Sequence, residues 1–213
     1  MKLTKIIPCY NEDKYIEKFI ISVNSQPFHD KQIIVVDDGS EDRTDYALEL
    51  FIDEIVLIKH EKNLGLPAAL NKGIKASKAN YIVRVDGDDY VNEYFLFLLN
   101  QFLEQNKYMD AIACDYLMVD NNEEVIFRKN CEKNPIGCGI MFKSSHLFKI
   151  GLYDENFLRH EDKDLRRRFE KKFKIHRIKM PLYRYRRHEH NITNDEKVMD
   201  YHLKKLKKKH KMK

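Results

Sequence analysis

Four times before residue 115, a short apolar strand-forming run gives way to a polar loop and then to a segment with apolar residues at helical spacing. The runs are Lys5-Ile6-Ile7-Pro8, Gln32 to Val36, Ile55 to Ile58 and Tyr81 to Val85. The helical faces that follow carry Ile16, Phe19, Ile20 and Val23; the segment Thr44 to Leu50; Leu66, Ala69, Leu70 and Ile74; and Phe95, Leu98, Leu99, Phe102 and Leu103. Strands that are apolar at nearly every position belong in sheets covered on both faces. The expected architecture is therefore α/β, a mainly parallel, Rossmann-like sheet flanked by helices, with ligands outside the carboxyl ends of the strands. A fifth run, Ala111-Ile112-Ala113-Cys114, completes this half. Beyond Tyr116 the pattern changes to a hairpin turning at Asn121-Asn122, a strand near Ile140-Met141-Phe142 and a charged helix from Glu161 to Lys171. That pattern predicts a smaller α+β half.

Three of the strand-end loops are acidic: Asn11-Glu12-Asp13, Asp37-Asp38-Gly39-Ser40 and Asp86-Gly87-Asp88-Asp89. A parallel sheet brings all three to one edge. Crowded carboxylates repel one another unless a cation or a hydrogen-bond network compensates, and hard oxygen ligands suit magnesium or manganese. Taken singly, each loop also fits an ordinary Asp-rich turn. An EF-hand counted from Asp86 is excluded, because Val91 and Phe97 stand where that loop needs glycine and glutamate. There is no G-x-x-x-x-G-K-[ST] phosphate loop. Residues 8–12 contain no glycine to cradle a nucleoside triphosphate, and Gly137-Cys138-Gly139 lacks the third glycine of a dinucleotide fingerprint.

With 213 residues, 43% hydrophobic and 34% charged, the chain can bury one sizeable core and has neither a disordered nor a fibrous composition. No run approaches the roughly 20 apolar residues of a membrane span, and the amino terminus lacks the apolar core of a signal peptide. The four cysteines, Cys9, Cys114, Cys131 and Cys138, contain no C-x-x-C pair and are expected as free thiols. The net charge of +5 lies entirely in residues 194–213, which hold eight lysines and three acidic residues. The neutral body argues against a nucleic-acid partner. In that tail Met199, Leu203 and Leu206 recur at i, i+4 and i+7, so a basic amphipathic helix is expected that can lie reversibly on an anionic membrane. Two locations stay open: free in the cytoplasm, or peripheral at the inner face of the cell membrane.

The chain resembles the family 2 glycosyltransferases of GT-A fold. The resemblance rests on Pro8-Cys9-Tyr10-Asn11-Glu12, Asp37 to Thr44, Asn63-Leu64-Gly65 with Ala69 to Ile74, and Asp86-Gly87-Asp88. It continues through Gly137 to Phe142, Gly151 to Phe157, His160-Glu161-Asp162 and Tyr185-Arg186-Arg187-His188, covering about residues 3–193. It implies one domain over 1–193, with a nucleotide-sugar half at 1–115 and an acceptor half at 116–193, followed by the basic tail.

The resemblance also implies roles. Tyr10 stacks on the nucleotide base beside Pro8, and Asp38 accepts the imide N–H of uracil. Asp86 holds the ribose next to Gly87, while Glu12 and Asn63 line the same pocket. Asp88 binds Mn2+ or Mg2+, with His188 as a second ligand or diphosphate contact. Asp162 is the general base for an acceptor hydroxyl in a single inverting displacement, and Glu161 contacts the acceptor or positions the helix. The implied partners are a nucleotide-sugar donor, a UDP-sugar by the Asp38 reading, and a glycan or lipid-linked glycan acceptor of surface polysaccharide synthesis. Ala69-Leu70-Asn71 stands where some members have Ala-Arg-Asn, so a basic contact to the donor is missing unless Lys72 or Arg84 supplies it. A noncatalytic sugar-nucleotide-binding protein remains the alternative, with retention of Asp162 against it.

Overall fold

A computed structural model describes residues 3–189 and 195–212. Its elements run β1 (Leu3–Cys9), α1 (Ile16–Asn24), β2 (Lys31–Asp37), α2 (Thr44–Glu49), β3 (Val56–Lys59), α3 (Leu66–Ala76), β4 (Tyr81–Arg84) and β5 (Tyr90–Val91). The second half continues α4 (Phe95–Gln105), β6 (Ala111–Val119), β7 (Val125–Lys129), β8 (Ile140–Lys143), α5 (Ser144–Ile150), α6 (Glu161–Glu170), β9 (Ile175–Arg186) and α7 (Glu196–His210). One sheet takes the order β3-β2-β1-β4-β8-β6-β9-β5, with β7 paired to β6. β1, β2, β3 and β4 are parallel, as the alternation of runs and helices predicts. Beyond β4 the sheet is mixed: β8 is antiparallel to both β4 and β6, β6 is parallel to β9, and β5 is antiparallel to β9.

Successive residues of β1 feed opposite faces. Leu3 and Ile7 pack with Ile16, Phe19 and Ile20 of α1 and with Phe95, Leu99 and Leu103 of α4. Ile6 points the other way, into Leu70 and Ile74 of α3 and a cluster with Leu147, Leu165 and Phe169 of α5 and α6. Burial of each such side chain contributes about 1.5–3 kcal/mol. α3 lies so close to β1 that a Cβ on Gly73 would stand 2.7 Å from Ile6 Cγ2. The missing Cβ permits this contact, which holds the loop before α3 against the strand ends.

The carboxyl-terminal segment does not present its apolar stripe outward. Asp195 caps α7 by accepting the N–H of Val198 at 3.1 Å, and Leu206 is 1% exposed. Lys209 pairs with Asp154 at 2.8 Å and Asp164 at 2.6 Å, and His210 reaches Asp164 at 2.8 Å. Lys205 and Lys209 both lie over the ring of Phe157. The expected free amphipathic helix is thus corrected: a buried aspartate on α6 collects cations from α7, and Leu206 is spent on the protein's own core. The exposed side keeps Lys197, Lys204, Lys207 and Lys208. The junction between body and tail expected near residue 193 lies outside the described residues. Among the described residues no helix is long and apolar enough to cross a membrane.

Candidate active site

A cleft of about 500 Å3 opens at the carboxyl ends of β1, β2 and β4 and is closed on its far side by α6 and the start of α7. All ten residues expected at the site line it: Pro8, Tyr10 and Glu12 after β1, Asp38 after β2, Asn63 before α3, Asp86, Gly87 and Asp88 after β4, Asp162 on α6 and His188 after β9. Residues remote in sequence meet here because parallel strands all end at the same edge.

The first two loops are stitched to each other. Asn11 N donates to Ser40 Oγ at 2.9 Å, Asn11 Oδ1 accepts Glu41 N at 2.9 Å, and Glu12 N donates to Thr44 Oγ1 at 2.8 Å. Tyr10 is left at the rim, 41% exposed, with its ring available for stacking. Asp38 is buried and already occupied: Oδ1 accepts Leu64 N at 3.0 Å and contacts His60 Nδ1 at 2.7 Å, while Oδ2 accepts Gly65 N at 2.7 Å. It clamps the loop that carries Asn63, and Oδ2, with one bond, retains a lone pair. Gly39 makes the clamp possible. Its φ is +77°, and a Cβ there would stand 2.6 Å from the backbone of Lys62.

The three aspartates after β4 part company. Asp86 is gripped by Arg84, Nε to Oδ1 at 2.6 Å and Nη2 to Oδ2 at 2.9 Å. Asp88 faces His188, Oδ2 to Nε2 at 3.0 Å, and the His188 ring stacks on Tyr15 with centroids 5.4 Å apart. Asp89 turns into the core, where Tyr183 Oη donates to it at 2.6 Å and Arg186 N at 2.8 Å. Burial, then Asp88 and Asp86, pushes its carboxyl well up from the ordinary range.

Two groupings offer ligands to a divalent cation. Asp86, Asp89 and Cys138 have ligand atoms within 4.8 Å of one another. Both oxygens of Asp89 are engaged, and burial, then Asp86 and Asp89, keeps the Cys138 thiol protonated; a buried thiol is a poor ligand for a hard ion. Asp88 with His188, beside Asp86, offers a carboxylate and an imidazole on the cleft wall and fits manganese or magnesium better. Glu12 points the same way. Burial first, then the neighbouring carboxylates Asp88 and Asp86, raises its pKa to about 9.

Across the cleft, Arg84 continues to Glu161, Nη1 to Oε1 at 3.0 Å. Glu161 is buried, and that burial raises its pKa against the opposing charge of Arg84. Arg84 is thereby committed to two carboxylates. Lys72 is exposed on α3 and does not line the cleft, so neither residue stands free as the missing basic contact. Asn71 is structural here: Nδ2 donates to Tyr153 O at 2.9 Å and to Glu155 Oε1 at 2.8 Å, and Oδ1 accepts Tyr153 N at 2.9 Å. Asp162 sits over Gly137, whose Cβ would lie 2.7 Å from Asp162 Cβ and 3.0 Å from Arg84 Nη1. That glycine sets how deeply the α6 carboxylate enters the cleft.

Sequence reasoning missed Arg159, Lys163 and Met199 as cleft residues. Arg159 and Lys163 bracket His160-Glu161-Asp162 and share its signal. Met199, read as a lipid-facing residue, lines the cleft because α7 folds back on α6.

The family described as Glycosyl transferase family 2 matches residues 4–208, which includes most of α7. The chain belongs to this family. It is 31% identical over 211 residues to the uncharacterized glycosyltransferase RT0329 of Rickettsia typhi, covering 89% of this chain and 65% of that protein. It is 35% identical over 136 residues to the uncharacterized glycosyltransferase EpsJ of Bacillus subtilis, covering 62% of this chain and 38% of that one. The chain thus spans less than two thirds of the length of either relative. Among solved structures, S. aureus TarS 1-349 in complex with UDP-GlcNAc superposes with a TM-score of 0.81 at 20% identity, covering 97% of this chain and 65% of that one. The mannosyltransferase PcManGT of Pyrobaculum calidifontis, in complex with GDP-Man and Mn2+, gives 0.77 at 17% identity over 98% and 64%. The fold is GT-A.

Proposed function

We propose that this family 2 chain moves a sugar from a nucleoside diphosphate donor, a UDP-sugar, to a hydroxyl of a glycan or lipid-linked glycan acceptor, with inversion at the anomeric carbon. The observation that carries the reading is the shared cleft of Asp86, Asp88 and Asp162, with two carboxylates at the strand ends and the third facing them from α6. Tyr10 stacks on the base, and Oδ2 of Asp38 accepts a ring N–H through its remaining lone pair. Asp86, beside Gly87, Glu12 and Asn63, holds the ribose. Asp88 and His188 would hold Mn2+ or Mg2+, whose charge offsets that of the leaving diphosphate.

Asp162 takes the proton from the acceptor hydroxyl as its oxygen attacks the anomeric carbon. The bond from that carbon to the diphosphate oxygen breaks, and its electron pair leaves with the nucleotide. One displacement inverts the centre. Arg84 and Gly137 keep Asp162 at the depth the attack requires. The UDP preference draws support from Asp38 and from the UDP-GlcNAc bound to TarS. A place in surface polysaccharide synthesis, on the cytoplasmic side of the membrane, is the setting we infer. Any contact with anionic lipid falls to the exposed lysines of α7 and is electrostatic.

The test is a screen of nucleotide sugars with and without manganese, repeated with Asp162→Asn. Transfer by the wild type that falls by about 10² or more in the variant, with UDP affinity retained, is expected. Binding without turnover by the wild type, across donors and acceptors, would favour a noncatalytic sugar-nucleotide-binding protein.

A further inference from the structure

The cleft wall beside Asp162 is rich in cationic and imidazole groups. Arg159, His160 and Lys163 line it, and His202 of α7 packs behind them. His160 and His202 are only 7% and 6% exposed. Among the described residues, His160 Nε2, His202 Nδ1 and Arg159 Nε are nevertheless buried without a hydrogen-bond partner. Leaving a buried polar atom unsatisfied is costly, and three in one wall is an arrangement that a ligand would relieve. The guanidinium of Arg159 reaches one carbonyl, that of Leu158 at 2.8 Å.

Two further observations agree. His160 adopts φ 59°, a left-handed conformation that glycine would hold without strain, so the imidazole is kept despite the strain. Positive groups are also crowded together: burial and then Lys163 lower the pKa of His160, and burial, Lys205 and Arg159 lower that of His202. The strand-end wall shows the opposite excess, of carboxylates. Glu161 is paired with Arg84, which leaves Asp162 as the α6 carboxylate in the cleft beside this group.

We propose that Arg159, His160 and Lys163, backed by His202, form an anion subsite for a phosphate carried by the acceptor, close to the hydroxyl that Asp162 deprotonates. The phosphate chemistry stands on the wall itself; its assignment to the acceptor rests on the transferase reading. The donor diphosphate is the other source of the same chemistry. It belongs with Asp86, Asp88 and His188 at the strand ends, whereas this wall is built by α6, α7 and the loop before α6.

The experiment titrates glycerol 3-phosphate, with glycerol as the neutral control, into the full chain with and without UDP and manganese. The imidazole 1H–15N signals of His160 and His202 are followed, assigned with His160→Gly and His202→Gln. Glycerol 3-phosphate is expected to shift both signals even with UDP bound, and glycerol to shift neither. Arg159→Gln with Lys163→Gln should weaken that binding by roughly tenfold or more, the scale of a charge-assisted hydrogen bond, and leave UDP affinity unchanged. Both substituted side chains lie at the surface or half-buried, and a thermal melt confirms folding.

Unmoved imidazole signals, or equal glycerol 3-phosphate affinity in the double variant, would overturn the subsite. A parallel loss of UDP affinity would reassign the wall to the donor and overturn the acceptor claim. Failure of the wild type to bind UDP at all would count against the transferase reading alone, because the glycerol 3-phosphate arm without UDP still decides the subsite.

Discussion

The strand-end wall of the cleft collects carboxylates from loops that each leave a parallel strand, whereas the helical wall collects cations and imidazoles from the loop before α6, from α6 and from α7, which meet only through packing. The first wall is held by its own loops. Asp38 clamps the loop at Asn63, and Ser40 and Thr44 hold Asn11 and Glu12. The second is held at a distance: Asp164 gathers Arg168, Lys209 and His210, and Leu206 fills the core behind. Arg84 bonds to both, reaching Asp86 on one wall and Glu161 on the other. Under the proposed function, opposed charge in one cleft suits a reaction that joins two substrates: one wall would take a cation with its diphosphate, the other an anionic partner.

Arg84→Met strikes that link and should have the largest effect. It leaves two carboxylates facing a side chain that cannot pair with them, and removing one partner of a buried pair costs about 3–5 kcal/mol. Urea denaturation should show that loss, and any protein that remains folded should lose transfer more than UDP binding. Unchanged stability together with unchanged transfer would mean that the walls are independent.

Leu206→Ala tests whether α7 belongs to the helical wall. Truncating a buried leucine costs about 2–5 kcal/mol, so the melting temperature should drop clearly. A helix whose apolar stripe faced lipid would show no such drop in solution.

Lys5→Met has a smaller effect of opposite sign. Lys5 is fully buried on β1, its Nζ has no hydrogen-bond partner among the described residues, and it lies over the Phe19 ring. Burial first, then Lys31, lowers its pKa. The unfolded chain therefore holds a proton that the folded chain lacks, from the ordinary lysine value of about 10.4 down to the lowered one. Wild-type stability should fall as pH drops through that window. The variant should be about 1–3 kcal/mol more stable near neutral pH, with the difference narrowing as pH rises in denaturation curves. A difference that does not change with pH would place the charge elsewhere.

How much of each wall could be read in the sequence follows from how it is built. Asp38, Asp86 and Asp88 could be placed because each stands just after a strand run, and a parallel sheet gathers strand ends. Asp89 could not be separated from Asp88: adjacent residues of one chemistry diverge only because Tyr183 and the Arg186 backbone, far along the chain, capture one of them. Periodicity showed that Leu206 and Met199 share a helix face, but it cannot tell protein from lipid as the cover for that face. Arg84 read as a candidate basic contact to the donor; its local partner is Asp86, and its second partner, Glu161, emerges only when α6 packs over β4. The parallel half was legible from local pattern. The mixed half depends on β9, whose pairing with β6 shifts register near Asp115 and leaves no periodic trace in the sequence.

The central claim is that the strand-end carboxylates bind a nucleoside diphosphate through a divalent cation at Asp88 and His188. Calorimetric titration of UDP into the wild type and Asp88→Ala, each with manganese and with a chelator, tests it most directly. The account predicts tight binding by the wild type with manganese, and a loss of roughly tenfold or more on chelation or in the variant, with manganese no longer mattering to Asp88→Ala. Equal UDP affinity under all four conditions, in protein shown to be folded by a thermal melt, would contradict it.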